Sequence, residues 1–118
     1  MRHQVAVLLL CGMLMGATQM PHEAADEQMR TVYDALKVRM QDDTTHRRQL
    51  INTQRSWRNF RDSECEFVST RARAGAGDAY IETYQNCLRD MALVRRQVLQ
   101  HYLRCAETGT DCTVAPRP

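Results

Sequence analysis

The stretch LINTQRSWRNFRDSEC, residues 50–65, contains the only tryptophan of the chain, three arginines and a cysteine, and it has no glycine or proline. It therefore lacks the residues that most strongly disrupt a helix. Steps of seven, four, four and three residues separate Leu50, Trp57, Arg61, Cys65 and Val68. Such spacing places these positions on one face of an α-helix. We therefore expect a long helix over residues 45–74, whose buried face includes an arginine.

Two further helices are predicted, one on each side of this stretch. The first covers residues 23–41, and the sequence at 42–45, two acids and two threonines, should form a turn and cap the second helix. The third covers residues 79–104, with Asp78 as its N-cap. The apolar positions of the first helix are Met29, Val32, Tyr33, Leu36 and Met40. Those of the third are Tyr80, Tyr84, Cys87, Met91, Val94, Val98, Tyr102 and Cys105.

The cysteine spacing predicts an antiparallel hairpin of the second and third helices. Cys65 and Cys87 each lie 11 residues from the centre of the Gly-Ala-Gly sequence at 75–77. If this sequence is the turn, both cysteines lie roughly 16 Å from it along their helices, at the same height. Four cysteines allow three connectivities. The hairpin favours a Cys65–Cys87 disulfide, which leaves Cys105 to pair with Cys112.

The N-terminus has the pattern of an export signal. A short basic segment precedes an apolar run at residues 5–17, which is too short to span a bilayer, since a membrane helix needs roughly 20 residues. We expect residues 1–20 to be a signal peptide that is removed together with Cys11. The protein is then periplasmic or secreted, without stable membrane insertion after signal removal, and an oxidising compartment agrees with its two predicted disulfides.

Length and charge limit the remaining possibilities. The 118 residues allow one small domain, and the formal net charge of +2 argues against a nucleic-acid partner. The expected layout is the signal peptide at 1–20, a helical domain at 21–107 and an irregular tail at 108–118. The predicted fold class is all-α, a small three-helix domain with a disulfide-locked antiparallel helical hairpin. An acidic first helix beside a basic second helix would be complementary in charge.

No pattern indicates an enzyme, a cofactor or a metal. Asp62 and Glu66 are four residues apart on a helix, but we interpret them as solvated carboxylates and not as a catalytic pair. His101 and Cys105 have the spacing of two metal ligands, which a disulfide at Cys105 would remove. A cysteine nucleophile would need an unpaired thiol, and all four remaining cysteines have an expected partner.

Arginines suggest two possible surfaces. A basic face that could contact lipid headgroups or cell-wall polymer would include Arg47, Arg48, Arg71, Arg73, Arg95 and Arg96, although a solvated helix face is the simpler interpretation. Trp57 and Arg61 have two interpretations. Trp57 is a core anchor with Arg61 half-buried and held by an acid, or Arg61 contacts a partner protein, since both residue types are frequent in interface hot spots.

The central helix resembles a known family. Gln54, Trp57, Arg61, Asp62 and Cys65 in QRSWRNFRDSEC are similar to the signature helix of the LprI-type lysozyme-inhibitor family. The resemblance extends over residues 26–104 and includes the tyrosine of the preceding helix (Tyr33) and the downstream Cys87. The chain differs from the family in two respects: Met29-Arg30 replaces the usual Leu-Asn, and a usable lipobox is missing. Cys105 and Cys112 resemble additions to the family pattern.

The resemblance implies a periplasmic or secreted binding protein that inhibits a lysozyme by occlusion. Gln54, Trp57, Arg61 and Asp62 would be its structural or partner-binding residues. The alternative is a non-enzymatic envelope adaptor that binds another protein or cell-wall polymer. Many lysozymes are basic, and the acidic patch for one lies on the first helix, at Glu23, Asp26, Glu27, Asp34, Asp42 and Asp43. A cleft rimmed by acids would favour inhibition, whereas a smooth helical rod would favour the adaptor.

Overall fold

The computed structural model describes residues 19–73, 78–109 and 112. Within them the chain forms three α-helices and no strand: α1 is His22–Arg39, α2 is Thr44–Arg73 and α3 is Ala79–Thr108. The predicted all-α, three-helix fold is therefore confirmed. Residues 1–18 of the predicted signal peptide, the turn at 75–77 and most of the tail lie outside the described residues.

The junction between α1 and α2 follows the chemistry of its two acids. α1 ends at Arg39, and the turn then places Asp43 immediately before α2. The Asp43 carboxylate accepts a hydrogen bond from the His46 backbone N–H at 3.0 Å. This bond satisfies one of the N–H groups that the first turn of a helix leaves without an intrahelical partner. The predicted cap is confirmed.

The ends of α3 differ from the prediction. Asp78 precedes the helix, but its side chain makes no capping hydrogen bond. The helix continues four residues beyond the predicted end at residue 104 and stops at Gly109. Gly109 has a φ of 66°, in the left-handed region, and its N–H donates to the Cys105 carbonyl at 2.9 Å. Glycine adopts this conformation without the steric cost that a Cβ atom brings, so it ends the helix here.

Both predicted disulfides are present. Cys65 and Cys87 are bonded with their Cα atoms 5.5 Å apart, which holds α2 and α3 side by side. Cys105 and Cys112 are bonded with Cα atoms 5.0 Å apart, which holds residue 112 beside the end of α3. Because Cys65 is also fully buried, the first disulfide belongs to the core of the hairpin.

The core forms where the three helices meet. Its buried apolar side chains come from all three helices and from the residue that follows α1: Met29, Leu36, Met40, Leu50 and Leu99. Partly buried side chains pack around them: Val32, Tyr33, Trp57, Tyr102 and Leu103. α1 packs chiefly along α3 and has few close backbone contacts with the basic α2. Individual side chains bridge α1 and α2 instead.

Two predicted core positions are exposed. Val68 and Val94 have 41% and 60% of their surface accessible. On α2 the buried position is the next residue, Ser69, whose hydroxyl donates to the Cys65 carbonyl at 2.6 Å. On α3 the inward positions are the two residues after Val94, and these are arginines. The valines point outward because Ser69, Arg95 and Arg96, each of which makes a hydrogen bond, occupy the inward positions.

Candidate functional site

Gln54 joins the three helices at one buried amide. Its Nε2 group donates to the Met29 sulfur of α1 at 3.0 Å, and its Oε1 atom accepts a hydrogen bond from Arg95 Nε of α3 at 3.0 Å. A buried amide must have partners on both of its ends, so its position specifies how the helices fit together. Gln54 is therefore a structural residue of the family signature, not an exposed contact residue.

Trp57 lies between two guanidinium groups. The central carbon of Arg61 is 5.3 Å from the centroid of the indole ring, and that of Arg95 is 5.8 Å away. Both distances are within the range of cation–π attraction. Burial lowers the pKa of the Arg95 guanidinium, an effect that the nearby Tyr102 opposes. Arg95 and Arg96, predicted as part of a basic face, are half-buried and contact Gln54 and Gln28, so that part of the prediction is wrong.

Arg61 connects α2 to α1. Its guanidinium forms ion pairs with Asp26 of α1 and with the adjacent Asp62, each at 2.9 Å, and only 16% of the side chain is exposed. Asp26 also pairs with Arg30 at 3.0 Å. The interpretation of Arg61 as a half-buried cation held by an acid is confirmed. Asp62 is mostly exposed and orients Arg61 from the solvent side.

An open groove of about 780 Å³ adjoins this ion pair. α1 forms one wall, Arg61 of α2 contributes to the other, and Leu88 of α3 is also in contact with the groove. Four acidic side chains of α1 line it: Glu23, Asp26, Glu27 and Asp34. They share one side of α1 because Asp26, Glu27 and Asp34 lie three, four and eleven residues after Glu23, which matches the helical period. We call this feature the acidic groove.

The charges in the acidic groove are unevenly compensated. Asp26 is neutralised by its two arginines, and Asp34 pairs with Lys37 at 2.8 Å. The only ion-pair partner that the described chain offers Glu23 is His22, at 3.3 Å, and Glu27 has none among these residues. Near the N-terminal end of α1 the groove therefore presents the Glu27 carboxylate, without an ion-pair partner among the described residues, and the Glu23 carboxylate, paired only with His22.

A smaller hollow of about 180 Å³ lies further along the same helices. It is lined by Tyr33, Ile51 and Gln54 together with the exposed Arg55 and Arg58. Neither arginine has an ion-pair partner among the residues that the structure covers. The surface between α1 and α2 is thus acidic on the α1 side and basic on the α2 side.

The carboxylate pair and the metal-ligand pair considered from the sequence do not form sites in the structure. Asp62 pairs with Arg61, while Glu66 accepts a hydrogen bond from the Tyr80 phenol, so the two carboxylates serve different partners. Cys105 is in a disulfide and cannot join His101 in holding a metal. In the described part of the chain, no group of three or more histidine, cysteine or acidic side chains has the geometry of a metal site.

Comparison with known proteins identifies the family. The family model described as "Lysozyme inhibitor LprI" matches residues 15–99, about seven-tenths of the chain. The chain belongs to the LprI lysozyme-inhibitor family. No curated protein and no solved structure gives a significant match. The LprI match covers the signature helix, the Cys65–Cys87 hairpin and the acidic groove, and it ends before the Cys105–Cys112 disulfide.

Sequence reasoning found some residues of this site and missed others. It selected Trp57 and Arg61 and noted the acids of α1, but it did not foresee that those acids would border a groove. It also treated Arg95 as a surface residue. A signal was present, because Arg95 occupies an inward position of the α3 periodicity, three residues after Ala92 and four before Leu99.

Proposed function

We propose that the protein is an exported inhibitor that binds a basic lysozyme-type muramidase through the acidic groove and blocks its substrate cleft by occlusion. Membership of the LprI family supports an inhibitory role. The observation that carries the proposal is that Glu27 lines the groove without an ion-pair partner among the described residues, beside Glu23, whose only such partner is the neighbouring His22. A tight inhibitor of a basic enzyme gains from such charges, which speed association and select the partner.

The dimensions of the groove agree with a protruding loop as the bound element. A volume of about 780 Å³ is in the range of sites that enclose several side chains. A lysine or arginine of the lysozyme would pair with Glu27, and the apolar stem of that side chain would contact Leu88. The hairpin would then cover the neighbouring cleft by its bulk, without chemical change to the enzyme.

The proposed compartment follows from the N-terminal pattern. Export by the signal peptide at residues 1–20 would place the protein where it meets lysozyme and where its disulfides form. Among the helices that the structure describes, none has the length and apolarity needed to cross a membrane.

Inhibition of cell-wall lysis tests the proposal. We expect the purified protein to slow the loss of turbidity that a basic lysozyme causes in a bacterial cell suspension. Glu27→Lys should weaken inhibition at least tenfold, since it replaces an attraction by a repulsion worth about 1.4 kcal/mol or more. Glu107→Lys on α3 is the matched control, because it changes the net charge equally at an exposed acid outside the groove.

Two results would contradict the proposal, and they differ in meaning. Absence of inhibition at micromolar concentrations across several lysozymes would reject the inhibitory role. Equal inhibition by the Glu27→Lys and Glu107→Lys variants would keep that role but reject the acidic groove as the binding site.

The second candidate is an envelope adaptor that binds an anionic polymer or another protein. The unpaired Arg55 and Arg58 beside Tyr33 favour it, because they could hold a carboxylate or phosphate group. Pull-down from envelope extract separates the two candidates. An inhibitor should recover lysozyme, and the Arg55→Ala/Arg58→Ala double variant should recover it equally well, whereas an adaptor would lose its partner in that variant.

A further inference from the structure

One side of α2 is exposed and carries no charge. Seven positions, separated alternately by four and three residues, form a continuous line along the helix: Gln49, Thr53, Ser56, Phe60, Ser63, Phe67 and Thr70. All seven are exposed and none is ionisable, although α2 contains many arginines. We call this line the uncharged stripe. It extends over 21 residues, or about 32 Å.

Two phenylalanines make the uncharged stripe unusual for a surface. Phe60 is 57% exposed and Phe67 is 75% exposed, and they lie two turns apart on the same side. At 3.6 residues per turn, Phe60 points about 120° away from the buried Gln54 and about 180° away from the buried Ser69. The rings therefore face away from the core of their own molecule. Exposed aromatic pairs of this kind indicate an interaction surface.

We propose that the uncharged stripe joins two copies of this chain, with the two α2 helices antiparallel. Reversing one helix brings Phe60 opposite Ser63 of the second copy, and the same two-fold axis brings Phe67 opposite Ser56 and Thr53 opposite Thr70. Each large side chain then meets a small one, which gives even spacing between the helices. A two-fold interface has this self-complementary form, because every pair occurs twice.

The opposite helix orientation packs less well. In a parallel pair, phenylalanine would meet phenylalanine and serine would meet serine at successive levels. The rings would hold the helices apart and leave gaps at the serines, and such gaps reduce stability. The antiparallel register also avoids like charges. Glu66 is at the height of Trp57 of the second copy, and Glu64 is at the height of Asn59 of the second copy.

Charge favours a second copy over a membrane surface as the partner. Between the two phenylalanines in sequence, three acids (Asp62, Glu64 and Glu66) outnumber the single Arg61, so this segment has a net negative charge that anionic headgroups would repel. The uncharged stripe also lies on a different side of α2 from Arg61, which lines the acidic groove. Two copies could therefore associate while each groove stays open to a lysozyme.

Sedimentation velocity over a range from about 5 µM to about 500 µM tests the interface. Such high concentrations are needed because a contact between two single helices is small, and small interfaces bind weakly. The wild-type protein should shift from monomer to dimer over this range. Phe60→Glu and Phe67→Glu should each raise the Kd of the dimer at least tenfold, a change of about 1.4 kcal/mol. Val38→Glu on α1, where the valine is 66% exposed, is the control and should leave the Kd unchanged.

A third substitution tests the helix orientation. Ser63→Phe should weaken an antiparallel dimer, because two large rings would meet, but it would strengthen a parallel one by filling the gap between serines. A monomer at all concentrations, a dimer unaffected by Phe60→Glu, or a tighter Ser63→Phe dimer would overturn the proposal. Binding of the wild-type monomer to anionic phospholipid vesicles, without dimer formation, would also overturn it. Lysozyme inhibition by Phe60→Glu measures the proposed function separately, since this residue lies outside the acidic groove.

Discussion

Arg61 is a cation that the surrounding residues make acceptable in a small helical core. Asp26 and Asp62 supply opposite charge at 2.9 Å, and the Trp57 ring supplies a π surface on which the guanidinium stacks. Each contact offsets part of the free-energy cost of removing the Arg61 guanidinium from water on folding. Because Asp26 is on α1, the same ion pair also fixes the wall of the acidic groove. Arg61 therefore has a structural role, and in the proposed function it also shapes the binding groove.

Removing Arg61 should destabilise the protein. Arg61→Ala would leave Asp26 with one of its two arginines and remove the stack on Trp57, at a cost of about 2 kcal/mol in the free energy of unfolding. Arg61→Lys should recover only part of this loss, since an ammonium group cannot pair with two carboxylates in the same planar geometry. Urea denaturation measures the change. Arg58→Ala, an exposed position three residues earlier, is the control, and an equal loss in both variants would contradict the role of Arg61.

Sequence reasoning identified Trp57 and Arg61 because their spacing from Leu50 and Cys65 is helical and their residue types are distinctive. It could not identify Asp26 as the acid that holds Arg61, since the two are 35 residues apart and several other acids were equally available. It also assigned Arg95 to the surface. Charge alone argues for exposure, and only the Gln54 amide and the Trp57 ring make the buried position of Arg95 favourable.

The C-terminal end of α3 depends on one glycine. A Cβ atom at Gly109 would meet nothing within 4 Å, so the only penalty for a larger residue is conformational. With φ at 66°, Gly109→Ala should lower the free energy of unfolding by about 1 kcal/mol. Gly109→Asn should cost less, because asparagine tolerates the left-handed region. Equal denaturation midpoints for the wild-type protein and Gly109→Ala would contradict this explanation.

The two disulfides should differ in their contributions to stability. Cys65 and Cys87 are 22 residues apart, and the chain-entropy model gives about 3 kcal/mol for closing such a loop. Cys105 and Cys112 are seven residues apart, which gives about 2 kcal/mol. Replacing each pair by alanines and measuring urea denaturation should reveal this order, and the first pair should lose more because Cys65 is also buried. A larger loss for the second pair would contradict the account.

The hairpin of α2 and α3 could be predicted because cysteine positions and a glycine-rich turn are local signals with simple geometry. Which residues of each helix point inward is harder to predict from the sequence. The apolar character of Val68 and Val94 predicts inward positions, whereas Ser69, which bonds to the Cys65 carbonyl of its own helix, and Arg95, which bonds to Gln54 of α2, take those positions. A periodic pattern alone does not state which polar residues will find partners.

At the scale of the whole molecule, the acidic groove results from how three helices are arranged. α1 packs mainly on α3 and is linked to α2 by a few side chains, which leaves an opening between α1 and α2 where the acids of α1 face Arg61. The near-balanced charge of the whole chain does not reveal this separation of sign, whereas the distribution of acids along the sequence of α1 does. Composition gave a net charge of +2, while the folded surface has a distinctly acidic side.

An NMR titration of the ¹⁵N-labelled protein with an unlabelled basic lysozyme tests the central claim most directly. The account predicts that amide resonances of residues 22–34 and of Arg61 shift or broaden, and that those of the uncharged stripe keep their positions at concentrations where the protein is monomeric. Glu27→Lys should abolish the changes at the same lysozyme concentration. Perturbation confined to residues outside α1, or no perturbation with a lysozyme that the protein inhibits, would contradict the account.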